Sequence, residues 1–424
     1  MSSTSFAQRL AIGCALPRWS VGMSQTINIG FLAPLSGPAE SWGQPGLNGC
    51  RLWEDWLNQA GGLLLEGRRF PVRIHAFDCA NDPSKAMEGA RYLVQNHDVS
   101  LMMMLGGDAF LAVRDFLMRN KILTSTLLTS DLSPDTPYLI APAESLPIYT
   151  VTAVDWIARN RPDIKTVALC SQNDALGLPT LAAYRAAFKA AGISVVYETC
   201  YDPVSPDAAQ IAGPMLATRP DMLCWCASYA PMVHALTQYA FDQGFAGQIL
   251  SCTADNYQRL VAQTSREFME GFLFQFPDFD DPLLAEKAFF FNQPQTFYQE
   301  YQDRFPNSWT AVSWEYAAIL DIWHSAVEKA GRPNPVSVLA ALRQLGRVTH
   351  AFGPAQWWGE DMFGLSHSLI GDWPVVQIRN GKARIVEFGS IPAWLARNEG
   401  LLGAEMAALG QLWHQRQAAH GSVG

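Results

Sequence analysis

Residues 27–51 read INIGFLAPLSGPAESWGQPGLNGCR, a strand, a glycine-marked loop and the first turn of a helix. Ile27, Ile29, Phe31 and Leu32 make a short apolar run, ended by Pro34 and Ser36-Gly37-Pro38, which a strand interior does not tolerate. From Gly49 onward the apolar residues fall at Leu52, Trp53, Trp56 and Leu57, one face of a helix that stops at Gly61-Gly62. Strand, loop and helix in this order open a βα unit. Such units bind ligands at the loop following the strand, because backbone N–H groups there point outward unpaired. Trp42 sits in that loop. An indole at this place either packs against its own helix or faces a bound molecule, and the loop by itself leaves both readings open.

The same unit recurs along the chain. Residues 70–77 form a second strand, followed by a polar turn whose Asp82 or Ser84 caps a helix. Residues 99–105 form a third, continuously apolar as a strand buried on both faces must be. Gly106-Gly107-Asp108 then opens a helix, where N–H groups suit a ligand carboxylate and Asp108 either takes a ligand ammonium or caps the helix. Residues 121–129 are a fourth strand, with Ser130 and Asp131 at its end. After a helix from Leu146, a second series follows, with strands at 165–170, 192–201, 221–227 and 248–252 and loops at 172–177, 228–230 and 253–256. Regular alternation of this kind requires a parallel sheet covered by helices. The fold class is therefore α/β, with two like lobes and a cleft between them. Beyond them lie a strand at 272–277, helices at 289–304, 309–330 and 335–345, a hairpin carrying Trp357-Trp358 and 375–378, and a helical tail at 391–417.

Composition narrows the function. The chain has 424 residues, 16% charged and 49% hydrophobic, with net charge −9, a compact globular protein of two or three domains. It carries no basic run to neutralise phosphates, so nucleic acid is not an expected partner. With no run of about 18 apolar residues, direct membrane insertion is not expected either. Residues 10–16 (LAIGCAL) follow Arg9 like a worn signal-peptide core without a small-residue cleavage site, which leaves exported and unprocessed chains both open. The eight cysteines form no regular framework, and Cys224-Trp225-Cys226 has strand alternation rather than the spacing of a zinc pair. Asp278, Asp280 and Asp281 lack the Gly and terminal Glu of a calcium loop and read as a solvated acidic loop. No nucleophile elbow, HExxH, P-loop or dinucleotide glycine motif occurs, so neither an enzyme nor a cofactor nor a metal is expected.

In order and spacing, PLSGPAESWGQPGLNG, DCANDPSKA, LMMMLGGDAF, NDALGLP and WEYAAILDIWHSAVEKAG resemble the type I solute-binding receptors of branched-chain amino acid ABC transporters, over residues 27–388. The resemblance implies two Rossmann-like lobes of the periplasmic binding protein type I fold, joined by three hinge crossovers near Ala143, Gln275 and Gly353. Residues 25–143 with 276–353 would form one lobe, 144–275 with 354–390 the other, and 391–424 a C-terminal helical tail. A small-molecule ligand would be clamped between them. Carried across position by position, the family's contacts fall on Trp42, Gly107 or Asp108, Leu128 and Ser130, Leu176, Tyr229 and Asp255. Two departures bear on the ligand. Gly107-Asp108 stands where the family usually has Ser, and Leu176 replaces an aromatic, so a simple α-amino acid loses a hydroxyl donor and an aromatic lid. Trp42, Tyr229 and Tyr257 suit a flat or apolar body, with Asp108 or Asp255 taking a donor group. An aromatic or other modified small carboxylate or amide is the expected solute. The implied function is a periplasmic receptor that delivers this solute to the membrane permease of an ABC importer. The alternative, favoured by the weak N-terminal signal and scattered cysteines, is a cytoplasmic small-molecule sensor on the same clamshell.

Overall fold

The computed structural model of the chain describes residues 26–416 apart from Glu144, Ser205, Ala288 and 345–346, and of 347–349 the backbone alone. The leader-like residues 10–16 and the end of the expected tail, 417–424, lie outside the described residues.

Strand β1, Ile27–Ala33, is buried along its length except at Asn28. It is flanked in parallel by β2, Val72–Asp78, and β3, Leu101–Met104, with Ile29 level with Ile74 and Leu101. Strands β4, Thr124–Ser125, and β5, Leu139–Ile140, extend the sheet to the order β2-β1-β3-β4-β5. Parallel neighbours cannot be joined by tight turns, so the chain returns through the helices Gln44–Gln59, Pro83–His97 and Asp108–Arg119. This leaves the loops that follow the strands along one edge.

The second lobe repeats the scheme. Strands β6, Thr166–Gln172, β7, Ser194–Tyr201, β8, Met222–Trp225, β9, Gln248–Ser251, and β10, Leu273–Phe274, run parallel in the order β7-β6-β8-β9-β10. An antiparallel meander follows: β11, Arg347–His350, β12, Gly353–Trp358, β13, Ser368–Arg379, and β14, Lys382–Ser390. Strand β13 joins the two lobes. Its first residue, Ser368, bridges Ala141 just past β5, while its Val376 and Gln377 pair with Phe274 and Leu273 of β10. Beside it, the Gln275 side-chain amide donates to the Tyr149 carbonyl and the Thr152 hydroxyl, each at 2.6 Å, and the Gln275 backbone carbonyl accepts from the Trp373 indole at 3.0 Å. Three segments that pass between the lobes are thus tied at one buried point.

The long helix Val312–Ala330 lies against Gln44–Gln59, and glycine makes the approach possible. A Cβ on Gly49 would stand 1.9 Å from the Ser313 carbonyl oxygen, and one on Gly46 would stand 2.3 Å from the Tyr316 ring. Close backbone contact here brings the start of the long helix under the Trp42 loop, which matters for the site below.

Several elements differ from the sequence reading. The run 70–77 is split at Pro71: Arg68–Phe70 pairs back on Leu63–Leu65 as a small hairpin, and β2 begins at Val72. The strand expected at 121–129 shrinks to Thr124–Ser125, because Thr126 turns the chain by donating to Asp131. The helix expected from Phe289 starts at Pro294; Phe290, Phe291 and Asn292 have positive φ, and a proline fits the first turn of a helix but not its interior. The acidic loop is fully engaged: Asp278 accepts from Tyr257, Asp280 pairs with Arg384, and Asp281 accepts from the Leu283 and Ile385 amides.

Candidate ligand cleft

The β1 loop is held open by Asp78 at the end of the neighbouring strand, which accepts from the Leu35 amide at 2.8 Å and the Ser36 hydroxyl at 2.6 Å. Burial acts against ionisation of Asp78, but these donors and the Ala80 amide outweigh it and hold its pKa below the ordinary range. A 3₁₀ turn, Glu40–Trp42, then drops the indole toward the second lobe.

Trp42 crosses the cleft. Its Nε1–H donates to Asp255 Oδ2 at 2.9 Å, and its ring lies 4.8 Å from that of Tyr229, both partners being in the second lobe. Tyr229 is fixed in turn: its amide donates to Gln172 at 3.1 Å, and its hydroxyl accepts from Asn81 of the first lobe at 3.0 Å. A third meeting point is Gly107, where an added Cβ would fall 3.1 Å from the Leu176 side chain. Leu176 owes its place to Asp174, which accepts from the Leu176 and Gly177 amides at 3.0 and 2.8 Å. The two lobes are closed on each other.

Beneath these contacts lies a cavity of about 30 Å³. The first lobe supplies Trp42, Leu105, Leu127 and Leu128; the second supplies Leu176, Ala227, Ser228, Cys252 and Thr253. Leu146, Tyr149 and Phe276, from segments that pass between the lobes, form the back wall, and the start of the long helix adds Ala311, Val312 and Glu315. Tyr149 is held by stacking on Trp373 at 5.1 Å and by a contact of 2.9 Å between its hydroxyl and the Cys252 sulfur. Glu315 is fully buried. No Lys, Arg or His is among the described lining residues. The chamber is therefore apolar and aromatic, with three hydroxyls, a thiol, a carboxylate and the Trp42 indole as its polar-bearing groups.

The sequence-derived candidates separate into three groups. Trp42, Leu128 and Leu176 line the cavity. Gly107, Tyr229 and Asp255 close it from above through the contacts just described. Asp108, Ser130 and Tyr257 stand outside it. Asp108 is exposed in the first turn of its helix, and Gly107, not Asp108, is the N-cap. Ser130 is buried, and its carbonyl accepts from Arg416. Tyr257 follows Asn256, whose left-handed backbone (φ +55°) turns the next helix away, and its hydroxyl donates to Asp278 at 2.5 Å. Of the twelve lining residues not singled out in sequence, six lie at strand ends of the two lobes, and six lie on the segments between the lobes or at the start of the long helix, where apolar residues look like ordinary core. Glu315 did leave a signal, an acid in register with Val312 and Ile319 on the apolar face of its helix.

Burial dominates the electrostatics. Asp255 is pushed up to about 6, against the opposing pull of the Trp42 N–H. Asp131, behind the Leu128 wall, is pushed up to about 7, opposed by Thr126, Arg416 and the Gly107 amide. Burial also raises Asp174 and the Tyr229 phenol.

A family model described as periplasmic binding protein matches residues 26–383. The chain belongs to that family. Among curated relatives, the Leu/Ile/Val-binding protein BraC3 of Rhizobium johnstonii is 24% identical over 200 residues, 46% of this chain and 53% of the relative. The chain spans about half the length of the curated relatives it matches. Among solved structures, the leucine-binding protein LivK of Thermotoga maritima superposes with a TM-score of 0.69 at 15% identity, covering 86% of this chain and 99% of its own. A solute-binding protein of an ABC transporter from Rhodopseudomonas palustris BisB5, in complex with 3,4-dihydroxybenzoic acid, gives 0.69 at 18% identity, covering 87% and 98%. The periplasmic binding protein fold, α/β with two lobes, is thereby shown. No helix among the described residues is long and apolar enough to cross a membrane.

Proposed function

We propose that this chain is the solute-binding receptor of an ABC importer, closing its lobes on a compact, largely apolar solute that presents a hydrogen-bond donor to Glu315. One observation carries this reading: a cavity between the lobes, walled by side chains of both and bridged by the Trp42–Asp255 hydrogen bond. A ligand touching both lobes binds the closed form better than the open one, and that difference is what drives closure. Trp42, Tyr149 and Phe276 suit an aromatic or branched apolar body. A carboxylate offers acceptor sites for several donors, so Glu315 favours an amide or amine end over a free carboxylate. The Rhodopseudomonas protein holds an aromatic acid, which agrees with the aromatic body; the preference against the acid end rests on Glu315 alone. Delivery to a membrane permease, and a periplasmic location, belong to the same proposal. So do the lobe limits, with one change: the pairings of β13 favour a third crossover within Ser368–Arg379 over one at Gly353.

A thermal-shift panel of benzamide, benzylamine, benzoate and leucine tests the solute class. A binder at 100 times its dissociation constant stabilises the protein by about 2.7 kcal/mol. Benzamide or benzylamine is expected to do so and benzoate is not; a response to benzoate or leucine alone sinks the donor-bearing class.

A cytoplasmic sensor is the second reading, and one observation favours it. The seven cysteines among the described residues form no disulfide, and even the Cys224 and Cys226 sulfurs stand 3.9 Å apart. Sequencing the N-terminus of the mature protein separates the two: cleavage ahead of Ile27 excludes the sensor, and a retained Met1 excludes export.

A further inference from the structure

The family match ends at residue 383, yet the chain continues and returns to the site. The helix Ile391–Ala408 starts with a Ser390 cap and lies on Gly177–Ala191 of the second lobe, so up to this point it is an appendage of that lobe. Gly410, at φ +69°, ends it. The next residues enter a helical turn, in which the Gln415 side chain donates to the Ala407 carbonyl at 3.0 Å and the Arg416 amide to that of Leu412 at 3.1 Å. That turn aims Arg416 across to the first lobe.

The Arg416 guanidinium meets a row of carbonyls. Its Nη atoms donate to Ser130 and, at 3.2 Å, to Leu132, while Nε donates to Gln411 at 3.1 Å. Its face lies over the Phe363 ring at 6.0 Å. Ser130 and Leu132 flank Asp131, and Asp131 knits two loops together. It accepts from the Thr126 hydroxyl at 2.6 Å and from the Gly107 amide at 3.2 Å. The Thr126 hydroxyl also accepts from the Leu128 amide at 3.1 Å, and the Leu127 amide donates to the Leu105 carbonyl at 3.1 Å. Leu105, Leu127 and Leu128 are the first-lobe wall of the cavity, and Gly107 meets Leu176 across the cleft. Only Gly fits at 106, where a Cβ would stand 2.3 Å from the Asp131 carboxylate. Five donors in a rigid fork suit such a row of carbonyls in a way that a lysine does not.

We propose that residues 411–416 form a strap from the second lobe to the first, and that Arg416 is a positioning residue for the ligand, setting the Leu105, Leu127 and Leu128 wall through the loop around Asp131. The ligand half of this proposal rests on the cleft being a solute site; the strap itself does not.

Hydrogen–deuterium exchange on the unliganded full chain therefore comes first, comparing wild type, Arg416→Ala, Arg416→Lys and a chain ended after Gly410. The Gly107, Leu128 and Asp131 amides are expected to exchange at least tenfold faster in Arg416→Ala and in the shortened chain, with Arg416→Lys in between and β1 and β2 unchanged. Benzamide affinity, measured on the same proteins, is expected to fall at least fivefold in Arg416→Ala and less in Arg416→Lys. Unchanged exchange at the three amides overturns the strap, as does an equal rise through β1 and β2 in all three variants. Faster exchange with unaltered benzamide affinity overturns the positioning role. If wild type binds no benzamide, the exchange result still decides the strap, and the failure belongs to the solute class.

Discussion

Replacing Asp255 by Asn removes a charge from the closed interface and keeps an acceptor for the Trp42 N–H. Asp255 is 4% exposed, and burial raises its pKa from 3.8 to about 6. With the native value above the unfolded one, the folded protein holds the proton more tightly. Its contribution to stability is complete below 3.8 and is lost as the pH rises through about 6. A shift of this size is worth at most about 3 kcal/mol. Asn carries no such dependence. Urea unfolding of both proteins from about pH 4 to about pH 7 should show them nearly equal at the acid end, with Asp255→Asn gaining up to about 3 kcal/mol over wild type at the neutral end. Asp131 and Asp278, raised to about 7 and about 6, titrate alike in both proteins and cancel in the difference. A difference that stays flat with pH would show that Asp255 is solvated and that the lobes are not closed over it.

Trp42→Phe keeps a ring against Tyr229 but withdraws the donor from a buried carboxylate; it should weaken binding of any cleft ligand by about 1.5–3 kcal/mol, read by calorimetry. An unchanged affinity would remove Trp42 from the site. Gly49→Ala places a Cβ 1.9 Å from the Ser313 carbonyl oxygen and should cost about 1–3 kcal/mol or more in urea unfolding; a neutral outcome would contradict the close helix contact that carries Glu315 to the cavity. Leu176→Ala opens the cleft roof and should lower affinity for benzamide while leaving the pH dependence of stability intact, because Asp255 lies on a different loop.

The fold was legible where physics acts locally. The β1 run, the apolar LMMM of β3 and the helix starts at Pro83 and Gly177 are fixed by burial on both faces, proline and capping chemistry. The boundaries that failed turn on single residues that periodicity passes over: the hairpin at 63–70 depends on a proline and two left-handed residues, and β4 stops early because Thr126 reaches Asp131. Of the site, the loops after β1, β6 and β8 were found because strand carboxyl ends share an edge. Tyr149, Phe276 and Glu315 were not, since they reach the cavity from segments whose placement is set by the joint at β13 and by the Gly49 contact. Tyr257 shows the converse. It is two residues from Asp255 in sequence, yet a single left-handed residue sends it to Asp278. Arg416 lay in a tail that periodicity describes only as helical.

The most direct test of the central claim is a crystal structure of the chain grown with benzamide. The ring is predicted between Trp42, Tyr149 and Phe276 with both lobes on it and the chamber widened well beyond the 30 Å³ of the unliganded chain, and the amide nitrogen about 3 Å from the Glu315 carboxylate. Benzamide bound elsewhere, or bound to one lobe of an open cleft, would contradict it.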